Sequence, residues 1–335
     1  MRAQAIAVTA IVVVCAFAGA AYTLVAVLTA EQPTADARPR LTVQTPLAGV
    51  DASLLVRAVD HANPGGDGRL FEARLAPGAT PDRAGGLACE RVHENAHGDG
   101  LCLAAKRGGF DYEAIVYRGR DRTPRAPLGI SGIPDRARVS ADGRHAAYTT
   151  FLSGHTYTAG IRTFSVHTGV LDLRTGRELF SLDELEVVAR DGAPVRDRDA
   201  NLWGVSFAGA DSFYATLATR GRHHLIEGSL SDRRARVVAS GIECPSLSPG
   251  GERIAYKRRL GDSDRWRLAV LDLATGMRTD LAERRSIDDQ PEWLGDETIV
   301  YSDDRAVWAV PADGGGRPQR LLRGASSPAA LPASR

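Results

Sequence analysis

His93-Glu94-Asn95-Ala96-His97 is the segment with the most specific chemistry attached to its spacing. On a helix, H-E-x-x-H sets two imidazoles on one face, where they can hold zinc while the glutamate activates a bound water. Gly100 even falls where a longer form of the motif wants glycine. The neighbours withhold the helix: Asn95, Gly98, Asp99 and Gly100 form a turn cluster. The third metal ligand of the longer form would be Leu103, which has no donor atom. The segment therefore reads as a polar hairpin loop. No metal, no cofactor and no catalytic residue is expected.

Cys89 and Cys102 flank that loop. The repeat described below puts them on adjacent antiparallel strands, where facing Cα atoms stand about 5 Å apart, within disulfide reach. In an oxidising compartment a bridge is expected, two buried thiols being the other reading. Cys244, beside Pro245, has no partner left except Cys15 in an apolar run, and reads as a buried free thiol. Asp197-x-Asp199-x-Asn201 opens like a calcium loop. Leu202 stands where that loop needs glycine, however, and Ala208 where it needs a bidentate glutamate. These acids, with Asp288-Asp289-Gln290 and Asp303-Asp304-Arg305, read as solvated loop charge. There is no G-x-S-x-G, P-loop or G-x-G-x-x-G.

The elements that must position these residues come from a repeat. SADGRHAAY (140–148), SFAGADSFY (206–214), SPGGERIAY (248–256) and WLGDETIVY (293–301) align on a final tyrosine. Each has a Gly, Asp or Ala turn between two apolar flanks, the pattern of a β-hairpin. The tyrosines are 66, 42 and 45 residues apart. The shorter steps suit a four-stranded propeller blade, and the longer one needs an insertion, for which 152–164 and 183–200 are candidates. VLDLRTGREL (170–179) and LAVLDLATGMRTDL (268–281) add a strand, a Thr-Gly turn and a strand. Blade starts near 53, 90, 137, 203, 243 and 289 make six. GASSPAALP (324–332) resembles GIECPSLSP (241–249), the opening of a repeat, and is expected to supply the first blade's missing strand and close the ring. Trp203, Trp266, Trp293 and Trp308 recur at blade spacing and read as packing between blades.

Pro245-Ser246-Leu247-Ser248-Pro249-Gly250-Gly251-Glu252-Arg253-Ile254-Ala255-Tyr256 resembles the repeat of TolB-like six-bladed propellers, near P-x-W-S-P-D-G-x-x-I-A-Y. Gln290-Pro291-Glu292-Trp293 and Asp272-Leu273-Ala274-Thr275-Gly276 match other parts of it. The resemblance covers roughly 85–335. The Asp-Gly of the repeat survives cleanly only at Asp142-Gly143, and no TolB-type N-terminal α/β domain is recognisable. The whole chain is similar to the membrane-anchored TolB-like proteins of GC-rich actinobacteria. The resemblance implies an all-β, six-bladed propeller. It does not imply the Tol–Pal role, which needs an outer membrane.

Residues 5–29 carry no charge. As a helix they would rise about 37 Å, enough for a bilayer core of about 30 Å. Arg2 precedes the run and favours the N-terminus inside. The expected organisation is a signal anchor over 1–30, a linker over 31–42 and a propeller over 43–335. That makes a single-pass membrane protein with its C-terminal domain outside the cytoplasm. Cleavage after Ala18-Gly19-Ala20, giving a secreted protein, is the alternative. Lys plus Arg is 42 and Asp plus Glu 41, a balance that offers nucleic acid no electrostatic footprint.

The expected function is a non-catalytic, monomeric binding module for an unidentified envelope protein or peptide. Candidate binding-face loops carry His93, Glu94, His97, Asp99, His155, Tyr157, Asp197, Asp199 and Asn201. The alternative is a propeller lyase or hydrolase with an acidic or metal-dependent site at the ring axis.

Overall fold

The computed structural model describes residues 41–44, 52–59, 68–106, 111–153, 164–261, 263, 265–303 and 305–331. The expected anchor over 1–30, most of the linker, Cys15, His155 and Tyr157 lie outside them. Among the described residues no helix is long and apolar enough to cross a membrane.

The strands form six sheets, each an antiparallel meander around one axis. Blade 2 begins with Arg91–Glu94 at the axis and continues through Gly100–Ala105 and Tyr112–Arg118. Its outer edge is shared by Thr123–Pro124 and Leu128–Ile130. Blade 3 runs through Ile133–Val139, His145–Ser153, Ser165–Asp172 and Glu178–Ser181. Blade 4 has Asn201–Ala208, Ser212–Thr219, Arg222–Ser229 and Arg234–Ser240. Blade 5 has Glu243–Leu247, Arg253–Arg259, Trp266–Asp272 and Arg278–Asp280. Blade 6 has Glu292–Leu294, Thr298–Asp303, Ala306–Pro311 and Gln319–Arg323. In blade 1 the innermost strand is Ala325–Leu331, paired antiparallel with Ser53–Ala58, and Arg69–Arg74 and Asp82–Ala88 lie outside it. Blade 1 thus takes strands from both ends of the described chain, which leaves no open sheet edge at the seam.

Within the long step between Tyr148 and Tyr214, Ser181 caps a single 3₁₀ turn over Leu182–Glu184. Glu186–Val188 then adds a parallel strand to the outer edge of blade 4. Thr42–Val43 likewise extends blade 6.

Strand alternation explains the core. A propeller strand is covered on both faces, so successive apolar residues feed different interfaces. Leu54 and Val56 pack toward blade 6 with Val300, Val307 and Leu322, whereas Leu55 packs toward blade 2 with Cys102 and Ile115. Ala255 joins Ile299 and Tyr301, whereas Ile254 and Tyr256 join Leu225. The aligned tyrosines sit in these interfaces. The hydroxyls of Tyr148 and Tyr301 donate to Glu178 (2.5 Å) and Glu283 (2.6 Å), so each ring is buried while its polar tip is satisfied. Gly204 marks a close approach between inner strands. Its φ is +67°, and a Cβ there would stand 3.0 Å from the Cα of Cys244 in blade 5.

The disulfide Cys89–Cys102 is present, with its Cα atoms 5.4 Å apart, but not across a strand pair. Val92, not Cys89, faces Cys102 in the ladder. Cys89 lies on the crossing from blade 1 to blade 2, where its N–H donates to the Gly68 carbonyl of blade 1. The bridge therefore staples two blades. Cys244 is a buried free thiol.

Candidate functional site

The six inner strands run the same way around the axis, so each ends at one mouth of the central channel. A cavity of about 490 Å³ opens there. Every blade supplies a wall residue: Ala330, His93, Arg138, Ser206, Ser246 and Glu292. The hairpin turns that follow the inner strands of blades 2 to 5 stand around the opening.

Three of those side chains form one charged network. Arg138 NH1 pairs with a Glu292 carboxylate oxygen, and its NH2 donates to the Pro291 carbonyl (2.7 Å) and to Ser246 Oγ (3.3 Å). His93 Nδ1 accepts the Val139 N–H at 3.1 Å. That contact leaves the ring proton of a neutral imidazole on Nε2, which lies 3.5 Å from Glu292 Oε2. Burial alone would raise the Glu292 pKa, but Arg138 and then His93 outweigh it and hold the group down at about 2. Burial lowers the His93 pKa against the opposing pull of Glu292, so the imidazole stays neutral near pH 7. Deeper in the channel, Gln290 Nε2 donates to the carbonyls of Pro245 (2.9 Å) and Val205 (3.2 Å), bracing blade 6 against blades 4 and 5.

A second network lies toward the end where the inner strands begin. Lys257, with a fully buried side chain, pairs with Asp288 and stands 3.7 Å from Glu243 Oε2. Its ammonium also sits 4.7 Å over the Trp266 ring. Glu243 Oε1 receives His223 Nδ1 (3.1 Å) and Trp266 Nε1 (3.2 Å). Burial works against the charge on Lys257, but Asp288 and the neighbouring negative groups, Glu243 among them, together outweigh it and the pKa rises. Asp288 keeps 35% of its side chain exposed while pairing with Lys257 and with Arg136 at 3.5 Å. It is therefore an ion-network member at the channel rim, not the solvated turn charge expected from the sequence. Its neighbour Asp289 accepts from the N–H (2.9 Å) and Oγ (2.7 Å) of Ser302.

The candidate residues do not gather on one face. His93 and Glu94 belong to the inner strand of blade 2 instead of the hairpin loop, because they face Leu101 and Gly100 in the ladder and the turn starts only at Asn95, whose N–H donates to the Asp99 carbonyl. Glu94 makes a two-pronged pair with the buried Arg122 (2.8 and 3.1 Å). Asp99 is buried and accepts from Arg118 Nε at 2.8 Å. Within this group His97 is exposed on the turn. Asp197, Asp199 and Asn201 lie at the opposite end of the ring, where the inner strand of blade 4 starts. The two aspartates clamp Thr219 and Arg220 in the neighbouring turn. Asn201 accepts the Val166 N–H from blade 3 at 3.2 Å. Among the described residues no three His, Cys, Asp or Glu side chains are grouped to hold a metal ion.

Arg138, Ser206, Ser246 and Glu292 were missed as axial residues. Each falls at, or within two positions before, the start of a nine-residue repeat string, and that neighbourhood was the available signal.

TolB from Acinetobacter baumannii superposes on 84% of this chain and 67% of its own length, with a TM-score of 0.58 at 15% identity. The chain has the fold of a TolB-like six-bladed β-propeller. A putative TolB from Agrobacterium tumefaciens aligns over 84% of this chain and 93% of its own, at 11% identity and a TM-score of 0.42. A chain of a nidogen/laminin complex aligns over 84% and 98%, at 11% identity and a TM-score of 0.50. No family model matches the sequence, and no curated protein does. At such identities the likeness of the TolB-like ring to these proteins is one of fold alone.

Proposed function

We propose that this TolB-like propeller is a non-catalytic, monomeric binding module, tethered outside the cytoplasmic membrane by residues 5–29, that engages an envelope protein or peptide at the mouth of the axial cavity. The observation that carries the reading is the pairing of Glu292 with both Arg138 and His93 across blades 2, 3 and 6. It gives the cavity a rigid, mutually neutralised wall, suited to receiving main-chain and polar groups without rearrangement. The Cys89–Cys102 bridge supports the extracytoplasmic placement, since such bridges persist in oxidising compartments.

The test is a peptide-display selection on the full chain, followed by affinity measurement on Ala141→Trp. Ala141 is exposed on the blade 3 hairpin and lines the cavity, so the indole would obstruct the mouth without entering the core. Selected peptides should lose at least about tenfold in affinity, on the order of 1.4 kcal/mol. Undiminished binding would move the partner site elsewhere on the ring.

The His93–Glu292 contact also favours a second reading, a lyase or hydrolase at the axis. On that reading Glu292→Gln abolishes turnover of a substrate whose binding it leaves nearly unchanged. On the binding reading the substitution alters affinity only.

A further inference from the structure

A larger opening, about 810 Å³, lies away from the axis at the seam between blades 6 and 1. Trp308, Arg305, Arg320 and Arg323 line it, with Asp303 as the acid at its edge. That acid is already engaged: Asp303 Oδ2 accepts from Trp308 Nε1 (2.8 Å) and from Arg285 NH1 (2.6 Å). The guanidiniums of Arg285 and Arg320 lie 3.7 and 5.3 Å from the Trp308 ring centroid. Arg305 and Arg323 form no ion pair among the described residues and leave the pocket with an excess of positive charge. Its floor is fixed by ring closure, since Val59 N–H donates to the Gly324 carbonyl and Gly324 N–H to the Arg305 carbonyl, both at 2.8 Å.

Where the N-terminal chain leaves the ring gives this pocket a direction. Thr42 lies opposite Arg323 and Val43 opposite Leu322, antiparallel. The strand Thr42–Val43 therefore starts at the end of the ring where Arg323 stands. Gly324 begins the crossing into the inner strand of blade 1, and Ala330, near the end of that strand, lines the axial cavity. The arginine pocket and the axial mouth thus face opposite ends. Twelve residues lie between Thr29 and Thr42. Fully extended they reach at most about 45 Å, and as a flexible chain about 20 Å. A ring so tethered meets the membrane with its Arg323 end.

We propose that the Arg305–Arg320–Arg323 pocket seats the phosphate headgroup of an anionic phospholipid, so that the propeller rests on the membrane by this end and points its axial mouth away. Guanidinium forks suit phosphate oxygens, and an indole among them suits the headgroup layer. The assignment rests on the membrane-anchor reading of residues 5–29.

The full chain is placed in nanodiscs of phosphatidylcholine, of phosphatidylcholine with phosphatidylglycerol, and of phosphatidylcholine with inorganic phosphate in the buffer. Arginine modification by phenylglyoxal is followed by peptide mass spectrometry. Arg305, Arg320 and Arg323 should react several-fold more slowly in the anionic discs than in the neutral ones, while exposed Arg174 at the other end keeps its rate. Equal rates at the three arginines in a chain that stays with the discs overturn the headgroup site alone. Equal protection by inorganic phosphate in neutral discs assigns the pocket to a free phosphate compound and overturns the lipid. A chain that leaves the neutral discs overturns the anchor, and the headgroup site with it.

Discussion

The two charged networks along the axis use the same kinds of side chain and differ in what surrounds them. At the inner-strand starts, Lys257 and Glu243 are sealed, with 0% and 1% of their side chains exposed, and Asp288 caps the pair from the rim. At the other mouth, Arg138 and Glu292 keep 8% and 13% and border an open cavity. A sealed pair keeps a strong Coulomb attraction because no water reaches it to compete. A pair at a cavity can exchange part of that attraction for water or for a ligand. The first network is therefore structural, and the second is the one that the proposed binding function would use.

The sharpest way to break this distinction is Lys257→Met, which keeps the volume and removes the charge. Glu243 would be left buried with only His223 and Trp266 as donors. The expected cost is about 3–5 kcal/mol, read as a lower urea midpoint at neutral pH. A loss under about 1 kcal/mol would mean that the sealed network does not bear on stability, and the contrast would fail.

Next in size is the acid response of the mouth. Glu292 sits at about 2 in the folded chain, against an ordinary value of 4.5. A depressed carboxyl contributes stability that is complete above the unfolded value and is lost as pH falls from about 4.5 toward 2. The full shift corresponds to at most about 3 kcal/mol, reduced by the water that reaches the cavity. Urea midpoints of wild type and Glu292→Gln should therefore converge as pH falls through that window, the wild type losing more. Parallel curves would show that Arg138 does not hold the charge.

Much of the ring is legible in the sequence. The hairpins at Ser140–His145 and Ser248–Arg253 repeat a local device, in which Ser Oγ accepts from the N–H five residues on (2.9 and 3.1 Å). A device that is local in sequence can be read from sequence. The Thr-Gly turns after Asp172 and Asp272 are equally local, with each Asp carboxylate accepting the Thr N–H at 2.9 and 2.8 Å. The axial networks are not local. Arg138 reaches Ser246 across 108 residues and Glu292 across 154, and only ring closure brings them together. The disulfide shows the boundary: its partners follow from spacing, but that it joins two blades depends on where the chain crosses between them. The candidate loops were scattered for the same reason, since a repeat gives the period of the strands without saying which end of each faces which mouth.

A smaller effect separates the two mouth residues that touch. Burial lowers the His93 pKa, so folding favours the neutral ring. The associated stability is complete above the unfolded value of about 6.5 and is lost as pH falls below it. The unfolding midpoint of the wild type should fall from pH 7 to pH 5 by more than that of His93→Gln. The slope should be gentler than the acid-side slope of Glu292, whose charge also assists His93 protonation. An inverted difference would mean that His93 is held as a cation, and that the mouth carries two positive groups against one carboxylate.

The smallest expected effect lies among the loop acids at the opposite end. Asp197 accepts from Arg220 at 2.7 and 2.9 Å, a geometry as good as any on the axis. The Arg220 side chain is 78% exposed, however, so water competes for both partners and salt screens them. The Arg220 bond lowers the Asp197 pKa, but free carboxylate and free guanidinium are also well solvated there. Asp197→Asn should leave the urea midpoint at neutral pH unchanged within measurement error. If it instead approached the loss from Lys257→Met, hydrogen-bond geometry and not burial would govern the strength of ion pairs in this ring, and the division of the axis into a structural and a recognising half would lose its physical basis.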